Sequence, residues 1–599
     1  MLNPYANILY ESPMPSTRTG PLANAFSYPT KISPESIALF IASHTRPGDT
    51  VLDVFGGSGS LGLAALLCDK PTPRMREMAQ ALGLQPAWGP RKAVVYELSV
   101  LGAFVAATMC RPPDAGVFTD AASQLLDDAE AELGWMYHAV DPAGRTGTIR
   151  HIIWTEVVEC PVCGAQTTFW DAAVREAPLR LADTYACHEC GHSARLRECS
   201  RATSTNLDPL LGSEVEGRIR RPARVYGVTD GRPWQRPAND DDVQLCSRIQ
   251  EAPVPDEAPV RSIEWGDLHR SGYHQGITHL HHFYTRRNFS VLSHLWHRTG
   301  QFDPDVRDAL QLLILSFNAT HSTLMTRVVV KSGDHDFALT GAQSGVLYVS
   351  GLPVEKNIFL GLRRKIRTLA AAFEQVSGSK SLVDVVNDSS TNLALPDESV
   401  DYVFTDPPFG GFIPYAEVNQ LNELWLGRVT DKRDEVVISP SQNKTADDYG
   451  SLLTSVFSEV SRVLKNSGFA TIVFHSARAD VWRTLSSALG TSGLQTITTS
   501  VLDKAQSSFK QTVSRNGVKG DPLILVSKAD RAHFASDIHM QSHVDATFAA
   551  AHDSSEAVER TPERMYSRFI TRCLETGTPV QLDAAEFYQM VQASCGSSS

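Results

Sequence analysis

The chain has 599 residues and a formal net charge of −12, and this length suffices for about three or four domains. Hydrophobic residues make up 42% of the chain and charged residues 20%, so the composition excludes an intrinsically disordered or fibrous protein. No apolar stretch approaches the ~20 residues of a membrane span, and no basic-then-apolar signal opens the chain, so a cytoplasmic protein without membrane contact is expected.

A strand, a glycine-rich turn and a helix follow one another early in the chain. Thr50–Phe55 is an apolar strand pattern, Gly56–Ser60 reads GGSGS, and Leu61–Leu67 opens a helix. Because only glycine lets a backbone approach a ligand closely, this arrangement is typical of a nucleotide-type cofactor cradle. Gly57–Gly62 also satisfies GxGxxG, which keeps a dinucleotide site open, whereas the missing lysine argues against a Walker phosphate loop.

The next strand pattern, Ala93–Tyr96, ends in Glu97. A carboxylate directly after the second strand of such a unit suits the diol of a ribose. A solvated strand end is the alternative interpretation of Glu97. The proline-rich stretch from Pro71 to Pro90 resembles an insertion, which explains why the two strands lie unusually far apart in sequence.

Four of the ten cysteines form two CxxCG motifs. The motifs are separated by 23 residues, a spacing close to that of a zinc ribbon. The glycine after each motif lets the backbone turn so that both sulfurs reach one metal, and four thiolates indicate a structural rather than a catalytic Zn2+. A redox disulfide pair is the alternative. The predicted metal ligands are Cys160, Cys163, Cys187 and Cys190.

An arginine-rich stretch follows the cysteines. Residues 195–236 hold nine arginines against five acidic residues, so a basic surface could face phosphate although the whole chain is acidic. Further on, Thr285–Asn288 opens a helix pattern with two arginines, and such a helix N-terminus suits a backbone phosphate. Surface arginines without a ligand are the alternative. The predicted nucleic-acid contacts are Arg220, Arg221, Arg224, Arg286 and Arg287.

Two further features lie around this helix pattern. The histidines that precede it, His279, His281 and His282, are interpreted as core or surface residues, with a metal site as the alternative. A second helix is predicted over Pro304–Phe317, because Asp303 is a suitable N-cap and proline is favoured in the first turn.

Residues 405–412 read TDPPFGGF and follow a strand pattern, Val400–Phe404. The two prolines fix φ at successive positions and remove two N–H donors, so the carbonyl groups of the loop stay free to accept. A planar ring that carries an amino group fits such a loop, with its face on Phe409 and its NH2 between Asp406 and the Pro407 carbonyl. A stiff connection without function is the alternative. The predicted catalytic residues are Asp406, Pro407, Pro408 and Phe409.

The glycine turn and the DPPF loop together resemble the S-adenosylmethionine-dependent amino-methyltransferases of nucleic acid. Within them the chain is similar to bacterial DNA modification methylases whose (D/N/S)PP(Y/F) loop follows a long insertion. The resemblance covers residues 20–110 and 275–530, and it also includes Phe26–Glu35, Arg46–Asp49, Ser344–Val349, Pro353–Asn357 and Tyr415–Gly427.

The resemblance implies roles for individual residues in cofactor binding. Asp53, Gly56 and Gly59 would hold the methionine end, and Glu97 the ribose. Asp388 falls where the family places a contact to the adenine ring, with an ordinary surface aspartate as the alternative. The predicted cofactor-binding residues are Asp53, Phe55, Gly56, Gly57, Ser58, Gly59, Glu97 and Asp388.

The resemblance also implies the fold, a Rossmann-like class I methyltransferase sheet of the α/β class that is split by a long insertion. The predicted segments are the first methyltransferase half with the cofactor motif (1–115), a helical connector (116–150), the zinc ribbon (151–200), a target-recognition region (201–300), the second half with the DPPF loop (301–535) and a helical C-terminal appendix (536–599). Residues 201–260 are expected to be irregular, and the C-terminal appendix to be peripheral.

The leading interpretation is an S-adenosylmethionine-dependent DNA methyltransferase that modifies an exocyclic amine of a base flipped out of duplex DNA. The setting would be restriction-modification or phage defence, with other defence-system proteins as candidate partners. The aspartate of the loop favours adenine N6 over cytosine N4, and a carbon-5 cytosine methylase is not supported because the chain has no Pro-Cys dipeptide. An RNA methyltransferase acting on guanine N2 or adenine N6, and a non-catalytic nucleic-acid-binding subunit, remain alternatives.

Overall fold

The computed structural model describes residues 8–11, 14–16, 19–176, 178–270, 274–323, 326, 328–330, 336–339, 347–411, 413–504, 521–528 and 540–596. Phe412 of the predicted catalytic loop, and residues 344–346 of a segment that carries the resemblance, lie outside these ranges. The chain forms two compact units. Unit 1 consists of Met1–Pro112, Ala372–Ala416 and Val429–Ser599, and unit 2 of Pro113–Ala371 and Glu417–Arg428.

Unit 1 is built around an eight-stranded sheet whose strands are, in spatial order, Met14–Ser16, Leu494–Lys504, Asp521–Lys528, Leu464–Val473, Val400–Thr405, Thr50–Asp53, Lys92–Tyr96 and Leu382–Val386. The last five of these run parallel to one another, whereas Asp521–Lys528 runs antiparallel to both of its neighbours. Val400–Thr405 is buried at nearly every position, as expected for a parallel strand covered on both faces. This mixed α/β sheet is compatible with the predicted methyltransferase fold.

The direction in which strands are added to the sheet reverses beside Thr50–Asp53. From this strand the chain continues to Lys92–Tyr96 on one side, whereas Val400–Thr405 pairs with its other side. Open α/β sheets bind ligands at such a switch point, outside the carboxyl ends of the strands. The glycine turn follows one of these strands and the DPPF loop follows the other, so the fold brings both motifs to this edge of the sheet.

The α-helices of unit 1 are Ile8–Glu11, Pro21–Ala25, Pro34–His44, Ser60–Asp69, Pro73–Ala81, Val100–Cys110, Ala446–Val463, Ala479–Thr491, Met540–Asp553, Pro562–Thr576 and Ala584–Gly596. Short 3-10 turns occupy Pro440–Gln442 and Ala557–Arg560. The last three α-helices are part of the core, because Val544, Phe569 and Phe587 are buried in the hydrophobic cluster that also contains Phe474 and Ile524. The expectation that the C-terminal segment is peripheral is therefore wrong.

Unit 2 contains a seven-stranded sheet centred on Thr146–Glu159, which pairs antiparallel with Arg220–Thr229. The remaining strands of this sheet are His138–Val140, Gln166–Thr168, Ser200–Arg201, Arg232–Pro237 and Val354–Lys356. Two-stranded ribbons are formed by Val174–Glu176 with Leu179–Leu181, Thr184–Ala186 with Ser193–Arg195, Thr203–Asp208 with Ser213–Arg218, and Val328–Val329 with Ala338–Leu339.

The helices that lie in unit 2, wholly or for most of their length, are Ala115–Leu133, Phe169–Ala173, Asp240–Gln250, Arg286–Thr299, Pro304–His321, Ile358–Val376 and Tyr415–Leu426, with 3-10 turns at Gly134–Tyr137, Leu196–Glu198 and Leu280–Phe283. Pro304–His321 begins at the predicted residue but extends one turn beyond Phe317, and it lies in unit 2, whereas the predicted boundaries placed it in the second methyltransferase half. Among the described helices, none is long and apolar enough to cross a membrane.

Residues 201–260 are regular, which corrects the expectation of an irregular segment. They include the ribbon Thr203–Asp208 with Ser213–Arg218, the hairpin Arg220–Thr229 with Arg232–Pro237, and the helix Asp240–Gln250. The hairpin turns at Asp230 and Gly231, which both have positive φ (49° and 74°). An Asp-Gly pair between strands is a strong hairpin signal, but the arginine and proline content of the segment obscured it.

Candidate active site

The glycine turn after Thr50–Asp53 has a conformation that requires glycine. Gly59 has φ +82°, and a Cβ at this position would lie 2.8 Å from the Cβ of Ala106. A Cβ at Gly56 would lie 2.2 Å from Cγ1 of Val95. Glycine at these positions therefore lets the turn pack closely against the strand Lys92–Tyr96 and the helix Val100–Cys110.

Glu97 is held against this turn. Its Oε2 accepts a hydrogen bond from the Gly57 N–H at 2.5 Å, and its Oε1 accepts from the Ser99 N–H at 2.8 Å. Two backbone donors therefore fix the carboxylate at the end of the second parallel strand, as the sequence position predicted. Since each carboxylate oxygen has two acceptor sites, capacity remains for a ligand.

A buried side-chain hydrogen bond joins the end of the strand before the glycine turn to the end of the strand before the DPPF loop. The Thr405 hydroxyl donates to Oδ1 of Asp53 at 2.8 Å, and the Phe55 N–H donates to the same oxygen at 3.0 Å. Burial raises the pKa of Asp53 to about 6, although both hydrogen bonds act in the opposite direction. Because Thr405 immediately precedes Asp406, this bond fixes the start of the loop relative to the glycine turn.

The two motifs open onto one cavity in unit 1. Of the predicted residues, those that line it are Asp53, Phe55, Gly56, Gly57, Ser58, Glu97, Asp406 and Pro408. Two motifs some 350 residues apart in sequence therefore contribute to one cavity, as a methyl transfer between them would require.

Four predicted residues are not part of this lining, namely Gly59, Asp388, Pro407 and Phe409. Asp388 is exposed, and its Oδ1 accepts from the neighbouring Ser389 N–H. The lining residues from this segment are instead Ser389, Ser390 and Thr391. The lining of the cavity in this segment is thus formed by the three residues that follow Asp388 and not by Asp388 itself.

Phe409 and the prolines of the loop are fixed by packing. The Phe409 ring meets the Phe474 ring edge to face, with centroids 5.4 Å apart, and lies 5.9 Å from the ring of His475. The carbonyl of Pro408 accepts from the Tyr449 hydroxyl at 2.7 Å. Pro407 is buried. These contacts support the interpretation of the DPPF segment as a rigid loop.

Several lining residues were not singled out from the sequence. Tyr28 and Tyr415 stack with centroids 6.4 Å apart and an angle of 21° between the rings, and the Tyr415 hydroxyl lies 3.2 Å from Oγ1 of Thr30. Both tyrosines occur in segments that carry the family resemblance, which was the signal available. The other such lining residues include Thr430, Asp434 and Glu435.

Glu435 is a second buried carboxylate at the cavity, and its oxygens already have partners. Oε1 accepts from the Ala416 N–H at 2.9 Å, and Oε2 accepts from Nε2 of Gln442 at 2.6 Å. These bonds hold the start of the helix Tyr415–Leu426. Glu435 therefore positions Tyr415 at the cavity wall.

The four predicted metal ligands of unit 2 converge. The sulfurs of Cys160, Cys163, Cys187 and Cys190 lie within 4.8 Å of one another. The Cys160–Cys190 and Cys163–Cys187 sulfur distances are 3.8 and 3.6 Å, too long for a disulfide, whose sulfurs lie about 2.05 Å apart. Tetrahedral ligands at the usual Zn–S distance of about 2.3 Å would be about 3.8 Å apart. Four sulfurs at this spacing fit one zinc ion.

The predicted nucleic-acid contacts have different surroundings. The side chain of Arg287 is 3% exposed, and its Nη1 lies 2.6 Å from Oε1 of Glu355. It is an internal ion-pair partner rather than a surface contact for phosphate. Arg224 pairs with Glu176 at 2.6 Å. Arg221 is exposed, whereas Arg220 and Arg286 line a cavity of unit 2.

Residues 4–70 match the family model N6_N4_Mtase, described as DNA methylase. This segment includes Asp53 and the whole glycine turn. No protein of the curated set gives a significant match to the chain. The family match supports a DNA methyltransferase family for this chain, and the model covers N6-adenine and N4-cytosine enzymes alike.

Proposed function

We propose that the protein is an S-adenosylmethionine-dependent DNA methyltransferase that modifies an exocyclic amine, with adenine N6 as the preferred target. The observation that carries the proposal is the shared cavity, which is lined by both Gly56 and Asp406. The family match over residues 4–70 adds independent support for a DNA methylase. A restriction-modification or phage-defence system in the cytoplasm is the proposed setting.

The residues of the cavity fit this cofactor. Gly56, Gly57 and Ser58 of the glycine turn line the cavity, and carboxylates stand at the ends of two adjacent strands, Asp53 and Glu97. Asp53 and the turn would hold the charged methionine end, and Glu97 would accept from the ribose hydroxyls. When bound, the cofactor supplies a methyl group that its positively charged sulfur has already activated.

Asp406 would act on the target amine. The lone pair of an exocyclic amine is delocalised into the base ring, so the amine is a poor nucleophile. A carboxylate that accepts from its N–H favours the more nucleophilic geometry and stabilises the positive charge that develops on nitrogen. The rigid loop holds this carboxylate in place before the reaction, and alignment of the reacting atoms accounts for much of the remaining acceleration.

The insertion would hold a structural zinc ion and provide contacts to DNA. Cys160, Cys163, Cys187 and Cys190 would bind structural Zn2+, because four converging thiolates leave no open coordination position for catalysis. If the substrate is duplex DNA, flipping of the base costs a few kcal/mol, so contacts outside the cavity must supply this energy. Basic residues of unit 2 are the proposed source.

The test is methyl transfer from S-adenosylmethionine labelled on its methyl group. The purified full chain is incubated with duplex DNA of mixed sequence or with total RNA, and the products are digested to nucleosides. We expect label in N6-methyladenine from DNA. Label in N4-methylcytosine would change the assigned base, and label confined to RNA would favour the RNA alternative. Label in neither nucleic acid would favour the non-catalytic subunit.

A pair of substitutions tests the bond between the two motifs. Thr405→Val removes the hydroxyl that holds Asp53, whereas Thr405→Ser keeps it and loses only a methyl group. Each change should lower the free energy of unfolding by about 1–2 kcal/mol. Since one hydrogen bond of about 1 kcal/mol corresponds to roughly fivefold in affinity, Thr405→Val should weaken S-adenosylmethionine binding by about that factor in calorimetry. Equal affinities for the two variants would contradict a role of this bond in cofactor binding.

A further inference from the structure

Glu156 in the central strand of unit 2 is a buried carboxylate surrounded by three arginines. Nη1 of Arg218 lies 2.8 and 3.0 Å from its two oxygens. Arg201 approaches with its Nε at 3.4 Å and Arg220 with its Nε at 3.5 Å. Guanidinium groups stay protonated in proteins, so three positive charges share one negative charge. These arginines therefore bring more positive charge to this place than the Glu156 carboxylate, whose side chain is 1% exposed, offsets.

Arg286 adds another cation without a carboxylate partner among the described residues. Its Nη2 donates to the carbonyl of Ala252 at 2.8 Å, whereas its Nε and Nη1 are buried and make no hydrogen bond to any described residue. Nη1 of Arg201 is likewise buried and makes no hydrogen bond to any described residue. A buried donor without an acceptor costs free energy, and buried cations need a counter-charge.

These cations face one cavity. Arg218, Arg220 and Arg286 line a space of about 300 Å3, together with Gln250 and Gln275. A volume of this size is at the lower end of the range for ligand pockets, which is about 300–1,000 Å3. Arg286 is also the first residue of the helix Arg286–Thr299, whose N-terminus favours negative charge.

The carboxylate in the cavity wall, that of Asp208, offsets part of this positive charge, because it acts electrostatically on Arg286. Oδ2 of Asp208 accepts from His281 and His282 at 2.7 and 2.9 Å. Nδ1 of His282 lies 3.2 Å from the Thr278 nitrogen and accepts from its N–H. The ligand atoms of the three residues lie within 4.8 Å of one another, so a metal site stays the alternative interpretation of these histidines.

We propose that this cavity binds a phosphate group, with Arg220 and Arg286 as its principal ligands. Glu156 would orient the side chain of Arg220 through their ion pair. Guanidinium groups match the oxygens of phosphate with paired hydrogen bonds. The group belongs either to the backbone of a nucleic acid or to a free phosphate compound. The site is separate from the methyl-transfer cavity, and its ligand can be tested without any methyl transfer.

The experiment measures binding of the full chain to a fluorescein-labelled DNA duplex over a series of salt concentrations. Arg220→Gln and Arg286→Gln each remove one cation from the cavity, and we expect each to weaken binding by about tenfold. Each should also reduce the slope of log affinity against log salt by about one unit, the effect of one lost phosphate contact. Arg150→Gln is the control, because Arg150 is an exposed arginine of the same unit that neither lines this cavity nor belongs to the predicted nucleic-acid contacts, and it should change affinity by less than about twofold.

A second arm uses sodium pyrophosphate as the probe and thermal unfolding as the readout. In one outcome, pyrophosphate raises the melting temperature of the wild type but not of Arg220→Gln or Arg286→Gln, while the duplex binds all variants equally. That result would support the phosphate site and would identify its ligand as a free phosphate compound. If neither probe distinguishes these two variants from Arg150→Gln, the proposal is overturned. Both readouts are independent of methyl transfer, so failure of the enzymatic proposal would leave this result interpretable.

Discussion

Asp406→Ala should lower the rate of methyl transfer by at least about 100-fold, the scale observed when one preorganised polar group is removed from a reacting centre. S-adenosylmethionine affinity should stay within about twofold, because the groups that would hold the cofactor, Asp53 and Glu97, keep their hydrogen bonds. Single-turnover kinetics measure the rate of methyl transfer, and calorimetric titration measures the affinity for S-adenosylmethionine.

Asp388→Ala is the matched control for this substitution. Asp388 is also an aspartate after a parallel strand, but it is exposed and does not line the cavity. Its removal should leave the rate unchanged within about twofold, since surface substitutions away from a site have small effects. Full turnover by Asp406→Ala would move catalysis to another residue, and loss of turnover in both variants would point to a general effect on the sheet edge.

The local part of the candidate site could be predicted from the sequence because each motif is a continuous segment. Apolar runs predicted the strands, and glycine spacing predicted the turn at Gly56–Gly59. The carboxylates Asp53, Glu97 and Asp406 could be found because they directly follow, or end, strand patterns. In a parallel sheet all of these positions lie at one edge.

The contacts between distant segments could not be predicted in the same way. Thr405 and Asp53 are 352 residues apart, and no pattern within either strand identifies this hydrogen bond. The stacking of Tyr28 on Tyr415 and the anchoring of Ala416 by Glu435 likewise depend on how loops fold over the sheet edge. Composition and periodicity describe one segment at a time, so they are silent on such pairs.

Arginine content was ambiguous for a related reason. Arg286 and Arg287 are neighbours in one helix, yet Arg287 meets Glu355 in the interior, whereas Arg286 lines a cavity without a carboxylate partner among the described residues. The helix turns by about 100° per residue, so adjacent side chains face different surroundings. A count of basic residues therefore locates a region but does not separate structural cations from ligand-binding ones.

The cysteines of unit 2 provide the other test with a large expected effect. We expect the purified wild-type protein to contain one zinc ion per chain by elemental analysis, and Cys187→Ser to contain none or to bind it far more weakly. Metal binding to four thiolates couples to folding, with apparent free energies of about 10–16 kcal/mol for small zinc modules. Residues 160–200 should accordingly become sensitive to protease in the variant.

The control for this substitution is Cys246→Ser, because Cys246 is a free cysteine outside the group of four converging sulfurs. It should retain the metal and the protease resistance of the wild type. Both variants should bind S-adenosylmethionine as the wild type does, since the proposed cofactor residues belong to unit 1 and the cysteines to unit 2. Wild-type protein purified without chelators that contains no zinc would remove the metal assignment, and the four thiols would then be candidates for redox chemistry. Zinc retained in full by Cys187→Ser would instead place the ion on other residues.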